Sequence, residues 1–242
     1  MRKFRMGYVG IFALAAGIFV APASARAAEL LLNGGFEAGL TSWTVVDQPG
    51  GSGSWFSQTG TGSPLNGFLV PAPPEGSFAA MTDQGGPGSH VLYQDFLVPT
   101  TVTSATLEFQ YYIQNLAGAF FTPDSLDFTV DPNQQARVDI ITTTADPFSV
   151  LAADILLNLY QTMVGDPTES GYTLLSYDLT AFLQAHAGET LRLRFAEVDN
   201  QFFFANGVDA VSLDVAAVPE PATLALLGIG LASAAWRRRR SA

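Results

Sequence analysis

Acidic and aromatic side chains are the residue types in this chain best suited to binding chemistry. The 242 residues include 22 Asp and Glu, 18 Phe, 7 Tyr and 3 Trp, but only 2 His and no Cys. The lack of cysteine excludes disulfides, thiolate zinc sites and cysteine nucleophiles. His90 and His186 are too few for a His-rich catalytic metal site, and we expect surface or capping roles for both.

Positive charge is concentrated at the two ends of the chain. Between residues 29 and 216, three arginines stand against 21 acids, which gives a net charge of −18. A surface this acidic repels phosphate backbones, so nucleic acid is not expected as a partner. We expect Arg192 and Arg194 to face outward from a strand and to pair with neighbouring acids across the sheet.

Some of the aromatic rings are candidates for stacking against sugar faces. Trp55 and Phe68 lie in a stretch rich in Gly, Ser and Pro, residues 49–74, where burial in a core is not assured. Phe203 is the middle member of three consecutive phenylalanines, which cannot all face one way, and the alternative for this run is core packing or self-association. Trp55, Phe68 and Phe203 are therefore the candidate ligand-binding residues.

Catalytic motifs are absent from the sequence. It contains no G-x-S-x-G elbow, P-loop, H-E-x-x-H helix or EF-hand loop. Two carboxylates can hydrolyse a glycosidic bond. With so many acids some pair is always close, so the abundance of acids is not evidence of a catalytic pair. We predict a non-enzymatic protein and assign no catalytic residue.

Many short segments with Gly/Pro turns predict a mostly β chain with a single antiparallel β-sandwich over residues 29–216. Alternation is clearest where Leu107, Phe109 and Tyr111 share one face of a strand. The strand over 190–198 similarly directs Leu191, Leu193 and Phe195 inward.

One or two short helices are expected within this sandwich. After Asp146, apolar residues fall on one helical stripe that ends before Gly165; these residues are Leu151, Ile155, Leu159 and Met163. A second short helix is predicted over residues 180–187, where Gly188 stops it.

The N-terminus has the pattern of a secretory signal peptide. A basic head (Arg2, Lys3 and Arg5) precedes an apolar helix over residues 7–20 and an A-x-A site at residues 23–25. Cleavage fits after Ala25 or after Ala28, and we assign residues 1–28 to the signal peptide. Residues 29–216 form the predicted folded domain.

The C-terminal residues 217–242 combine three features in a fixed order. A Pro-Glu-Pro triplet precedes an apolar helix of 14 residues and a cluster of arginines; the defining residues are Pro219, Glu220, Pro221, Arg237, Arg238, Arg239 and Arg240. The helix is about 21 Å long, which is short for a bilayer core of roughly 30 Å. This tail resembles that of the PEP-CTERM exported proteins of Gram-negative bacteria; similar tails occur on some ice-binding proteins.

The resemblance implies transient anchoring in the inner membrane and recognition by an exosortase, a membrane transpeptidase-like enzyme. Removal of the tail and delivery to the cell surface or matrix would follow. A plain tail anchor is the alternative.

A second resemblance rests on the two ends of the folded domain. Residues 32–39 (Leu-Asn-Gly-Gly-Phe-Glu-Ala-Gly), together with Trp43 and the closing segment 207–213, are similar to galactose-binding-like jelly-roll domains, which include many carbohydrate-binding modules. The resemblance implies a structural Ca²⁺ between the first and last strands. The closing segment departs from the pattern at Ala210, where Asn or Asp is usual.

Calcium prefers six to eight oxygen ligands. Glu37 and Asp209 match the family's positions, and Asn33 would assist through its amide or carbonyl oxygen. The alternative is that Glu37 and Asp209 cap turns on an acidic surface.

Taken together, these features predict an exported, non-catalytic protein of the cell surface or of the extracellular biofilm matrix. An exosortase would sort it, and the β-sandwich would bind polysaccharide. The main alternative is a secreted glycan-active enzyme of the glycoside hydrolase type. An ice-binding protein is a third option, disfavoured because Thr142, Thr143 and Thr144 are consecutive, whereas a flat threonine face requires alternation.

Overall fold

A computed structural model describes residues 26–217, which contain eleven strands and one short helix. The strands are β1 (Arg26–Glu29), β2 (Thr44–Asp47), β3 (Ser54–Gln58), β4 (Ala79–Asp83), β5 (Gly88–Leu97), β6 (Val102–Asn115), β7 (Gln134–Thr142), β8 (Ile155–Gln161), β9 (Glu169–Asp178), β10 (Thr190–Asp199) and β11 (Phe204–Ala217). The helix α1 spans Thr180–Ala185 and agrees with the second predicted helix.

The strands form two antiparallel sheets. The first has the order β3-β4-β11-β6-β9, with β1 paired to the end of β11, and the second has the order β2-β5-β10-β7-β8. The mostly β, two-sheet sandwich predicted from the sequence is therefore confirmed. It brings the opening segment next to the last strand and places β5 beside β10, and these two neighbourhoods hold the sites described below.

Alternating apolar residues from both sheets fill the space between them. Phe109 of β6 and Phe195 of β10 are fully buried, and their rings meet edge-to-face at 5.3 Å between centroids. Leu107, Tyr111 and Leu193 belong to the same core. The inward faces predicted for these two strands are confirmed, because strand alternation places every second side chain on one face.

The helix predicted after Asp146 is wrong. Its second half forms β8, which pairs antiparallel with β7 at the edge of the second sheet. A spacing of four residues fits a helical stripe, but it is also an even spacing, which keeps side chains on one face of a strand. Pairing with β8 satisfies the backbone edge of β7, and Tyr160 packs against Tyr111 at 5.0 Å between ring centroids.

Arg192 and Arg194 face away from the core but are not exposed as predicted. The Arg194 guanidinium is fully buried beneath the loop that covers this face. Its Nη1 donates hydrogen bonds of 2.7 Å to the carbonyl oxygens of Pro147 and Ser149 in that loop. The predicted pairing with acids across the sheet is confirmed. Arg194 pairs with Asp139 of β7, and Arg192 with Asp95 of β5 at 2.7 Å.

The two terminal predictions concern residues that lie largely beyond the described range. The signal helix and the C-terminal hydrophobic helix are outside residues 26–217, whereas residues 26–28, assigned to the signal peptide, form most of β1. Within the described range, no helix has the length and apolar character required to cross a membrane.

Candidate functional site

A cleft of about 350 Å³ lies where β4 and β10 end. Its walls come from residues 66–68, from residues 84–87 after β4, and from residues 199–203 after β10. These loops carry both apolar rings and amide side chains. The combination is typical of ligand clefts, in which apolar surface binds and a few polar groups orient the ligand.

Three phenylalanines provide the apolar part of the cleft. Phe202 is 62% exposed and Phe68 is 45% exposed, while Phe203 is partly buried and meets Phe68 edge-to-face at 4.5 Å between ring centroids. Phe204, the last of the consecutive phenylalanines, is fully buried in the core. The structure thus brings two predicted ligand-binding residues, Phe68 and Phe203, into one site and adds Phe202.

Trp55, the third predicted ligand-binding residue, belongs to the core instead. It lies on β3, and only 2% of its surface is exposed. A ring buried to this extent cannot stack against a sugar, so the predicted role does not agree with its position. The sequence indicates a strand near residues 54–56 within this loop, and the structure forms β3 there, with the Trp55 side chain in the core.

Hydrogen bonds hold the wall around Phe68 in place. The Asp83 carboxylate accepts hydrogen bonds from the backbone N–H groups of Leu65 (2.6 Å) and Asn66 (2.8 Å). The Asn66 amide donates to Asp83 Oδ1 and to the carbonyl oxygen of Gln84. Gln84 in turn donates to the Phe204 carbonyl at 2.6 Å. The rings therefore project from loops that are tied to β4 and β11.

Glu37 and Asp209, the predicted calcium ligands, meet at a single loop. Glu37 Oε1 accepts hydrogen bonds from the N–H groups of Ser77 (2.8 Å) and Phe78 (2.9 Å). Asp209 Oδ2 accepts one from Glu75 N at 3.1 Å. Although they are far apart in sequence, the two carboxylates bind consecutive parts of the segment 75–78.

Burial and neighbouring charge act together on Asp209. The pKa of the Asp209 carboxyl group is raised to about 6, mainly by burial and also by the negative charges of Glu75 and Glu37. Hydrogen bonds from the N–H groups of Glu75 and Ala210 oppose this rise. Acids that repel one another in this way are stabilised by a bound cation. Carboxylate oxygens are ligands that Ca²⁺ accepts, although Glu37 Oε1 and both carboxylate oxygens of Asp209 already accept backbone N–H hydrogen bonds.

Asn33, the third predicted calcium ligand, uses its side chain within its own turn. Its amide nitrogen donates to the carbonyl oxygens of Gly39 (2.9 Å) and Thr41 (2.8 Å), and its Oδ1 accepts from Ala38 N. The Asn33 carbonyl oxygen accepts a hydrogen bond from Trp43 Nε1. Both ends of the amide are therefore engaged in ordering the opening turn.

The two histidines differ in their surroundings. His186 lies at the end of α1 with Nδ1 2.9 Å from Glu189 Oε2, which confirms the predicted surface or capping role. The same prediction is wrong for His90, which lies on β5 and is 1% exposed. The turn before His90 indicated a loop, but pairing with β2 and β10 places the residue inside the second sheet.

His90 lies close to two buried acids, Glu197 and Asp199 of β10. Neither acid is among the residues predicted from the sequence, although a signal is present there. The inward series of β10 continues past Phe195 to residues 197 and 199, so alternation places both carboxylates on the core-facing side. Asp199 also lines the cleft beside the phenylalanines.

Residues 217–240 match the PEP-CTERM protein-sorting motif. The predicted sorting residues, at 219–221 and 237–240, fall within this match and outside the described part of the structure. The motif implies an exported protein with a C-terminal sorting signal and processing by an exosortase. No curated protein matches the chain in sequence.

Several solved structures are similar to the folded domain. The structure of TmCBM61 in complex with β-1,4-galactotriose is 10% identical, with a TM-score of 0.45 over 77% of this chain and 97% of that chain. The K3 cleaved adhesin domain of Lys-gingipain from Porphyromonas gingivalis W83 is 15% identical, with a TM-score of 0.46 over 78% and 98%. A family 4 carbohydrate-binding module is 14% identical, with a TM-score of 0.40 over 76% and 99%. Similarity at this level carries no inference about a ligand.

Proposed function

We propose that this exported protein binds a polysaccharide in the cleft of Phe68, Phe202 and Phe203. The observation that carries the proposal is the presence of solvent-exposed rings beside amide side chains, on loops held by hydrogen bonds. Sugar rings present apolar faces that stack on aromatic rings, while hydroxyl groups hydrogen-bond to amides. The strongly acidic domain favours a neutral or cationic glycan over an acidic one.

The positions of the carboxylate groups in and near the cleft favour binding without hydrolysis. Asp199 is an acid in the cleft, and its nearest acidic partner is Glu197, which is 1% exposed, with carboxylate oxygens of the two within 4.8 Å. Glycoside hydrolases place two accessible carboxyl groups about 5–9.5 Å apart, on either side of the glycosidic bond. A sugar cannot fit between Asp199 and Glu197, which supports a binding module over the enzyme alternative.

The site of action in this proposal is the cell surface or the extracellular biofilm matrix. Exosortase processing of the tail at the inner membrane would release the folded domain to that location. A polysaccharide-binding domain there would link the protein to matrix glycans.

Replacing Phe202 with alanine is expected to weaken polysaccharide binding about tenfold. The loss of one stacking ring corresponds to about 1.4 kcal/mol of binding free energy, and Phe202 is exposed enough for its removal to leave the fold intact. A glycan array with the folded domain identifies the ligand, and calorimetry with that glycan measures the change.

Leu97→Ala is the matched control, because Leu97 is also 62% exposed and lies at the opposite end of β5 from the cleft. Equal binding by the two variants would contradict the cleft as the site. Release of reducing sugar during the assay would favour the enzyme alternative.

We also propose that Glu37 and Asp209 bind a structural Ca²⁺. Added calcium is then expected to raise the melting temperature by about 5–10 °C at a hundredfold excess over its Kd, since that excess contributes about 2.7 kcal/mol. In Glu37→Ala this calcium-dependent increment disappears, whatever the variant's stability in chelator. Asp214→Asn, at an exposed acid on the same strand as Asp209, retains the increment. A wild-type melting curve insensitive to both calcium and chelator would support turn capping instead.

A further inference from the structure

A second group of buried side chains includes Asp199, which also lines the cleft. Glu197 of β10 is directly opposite His90 of β5 in the register of the sheet, and Asp199 follows two residues later on the same face. One ligand atom from each side chain lies within 4.8 Å of the others. All three residues are at most 3% exposed. Side chains from two adjacent strands thus surround one small volume.

The carboxylate of Glu197 lacks any partner in the described part of the chain. Neither of its oxygens has a hydrogen bond there, and Oδ1 of Asp199 is also unpaired. Burial raises the pKa of Glu197 well above its usual value, and the negative charges of Asp199 and Asp47 raise it further. A buried carboxylate that faces two other acids is strongly unfavourable unless a cation or protons compensate for the charge.

His90 is held between two oxygen acceptors. Its Nδ1 lies 2.8 Å from Asp47 Oδ1, and its Nε2 lies 3.1 Å from the carbonyl oxygen of Ser52. A neutral imidazole can donate a hydrogen to only one of them. The other ring nitrogen then keeps the lone pair that an ion would need. The remaining hydrogen bond would fix the orientation of the ring, as is usual for metal-bound histidines.

We propose that His90, Glu197 and Asp199 bind a divalent transition-metal ion of the Zn²⁺ type. Metal–ligand distances of about 2.0–2.2 Å place ligand atoms roughly 3–4.4 Å apart, which the spacing of this cluster accommodates. One imidazole and two carboxylates are ligands that Zn²⁺ accepts, whereas Ca²⁺ prefers oxygen alone. The double positive charge would compensate for the unpaired carboxylates.

The cleft gives such an ion a route to the site. Asp199 belongs to the cluster and also lines the cleft wall, so the ion would lie beneath the cleft surface formed by Phe68 and Phe203. The ligands come from the protein alone. The site is therefore complete without a polysaccharide, and its test is independent of the glycan assay.

Zinc titration of the chelator-treated folded domain, followed by calorimetry, tests this site. We expect wild type to bind one Zn²⁺ with a Kd below about 10 µM, and to melt at a higher temperature when loaded. Glu197→Gln is expected to bind at least about a hundredfold more weakly, because a charged ligand is lost. The neutral glutamine removes buried charge, so the metal-free variant should be at least as stable as wild type.

Two matched variants show whether the effect is local. His186→Ala removes the other histidine and Asp214→Asn neutralises an exposed acid on β11; both are expected to keep the high-affinity zinc site. A millimolar excess of Ca²⁺ should not displace the zinc. Zinc binding by Glu197→Gln equal to that of wild type would overturn the proposal, as would the absence of zinc binding to wild type. The cluster would then be a pair of acids that share protons.

Discussion

An alanine at position 34 is expected to lower the free energy of unfolding by about 3 kcal/mol or more. A Cβ atom on Gly34 would lie 1.8 Å from the carbonyl oxygen of Val211 in β11. Val211 N also donates a 3.0 Å hydrogen bond to the Gly34 carbonyl, so the two backbones are in direct contact. A clash between backbones cannot be relieved by a side-chain rotation, and the opening turn must move away from the last strand.

Chemical denaturation measures this effect, and Gly35→Ala is the control. A Cβ on Gly35 would have the Glu75 carboxyl group 3.9 Å away as its nearest neighbour, which is an ordinary contact. The control should therefore change stability by less than about 1 kcal/mol. Equal destabilisation by the two alanines would show that the close approach of Gly34 to Val211 is not important for stability.

Replacing Asp139 with asparagine is expected to cost about 3–5 kcal/mol of stability. The buried carboxylate accepts two hydrogen bonds of 2.8 Å from Arg137 and one from Asn158, and it pairs with the fully buried Arg194. Asparagine removes the negative charge and leaves two guanidinium groups buried without it. The variant should unfold at a lower urea concentration with an unchanged m-value.

The pH dependence of this pair has a defined sign. Burial tends to raise the pKa of Asp139, but hydrogen bonds from Arg137 and the charge of Arg194 outweigh it and hold the pKa below its usual value. A carboxyl whose pKa is lower in the folded state stabilises the fold above its unfolded pKa, near 3.9. This contribution is lost as the pH falls from about 4 through the folded-state pKa. In Asp139→Asn, the free energy of unfolding should therefore fall less steeply over this pH range.

Asp95→Asn provides the comparison for Asp139. Asp95 pairs with Arg192 through two hydrogen bonds, but its side chain is 38% exposed. Water therefore screens this pair, and its loss should cost about 1 kcal/mol or less. If both asparagine variants lost the same stability, burial would not be the source of the larger effect.

Strand alternation was sufficient to predict the core, because it is a local property. Leu107, Phe109 and Phe195 are inward both in the sequence pattern and in the structure. The same local reasoning failed for residues 155–161, since a spacing of four satisfies a helix and a strand equally. The unpaired backbone edge of β7 decides between them, and that edge exists only after the sheet has formed.

The candidate sites show the same division. Phe68 and Phe203 were identifiable as aromatics in loops, but their contact at 4.5 Å depends on how two distant loops meet. Trp55 lies in a similar stretch and is buried, because β3 pairs with β4 and its side chain faces the core. Residue type thus predicted which rings could bind, and packing determined which of them are available.

The sequence by itself determined the sorting motif at 217–240, the antiparallel sandwich and the excess of acids in the domain. These properties depend on residue order within short windows or on composition. Only the tertiary structure placed His90 beside Glu197 and Asp199, and brought in Asp47 from 43 residues earlier in the chain. Strand register decides such neighbours, and burial then leaves both carboxylate oxygens of Glu197 without a hydrogen-bond partner among the described residues.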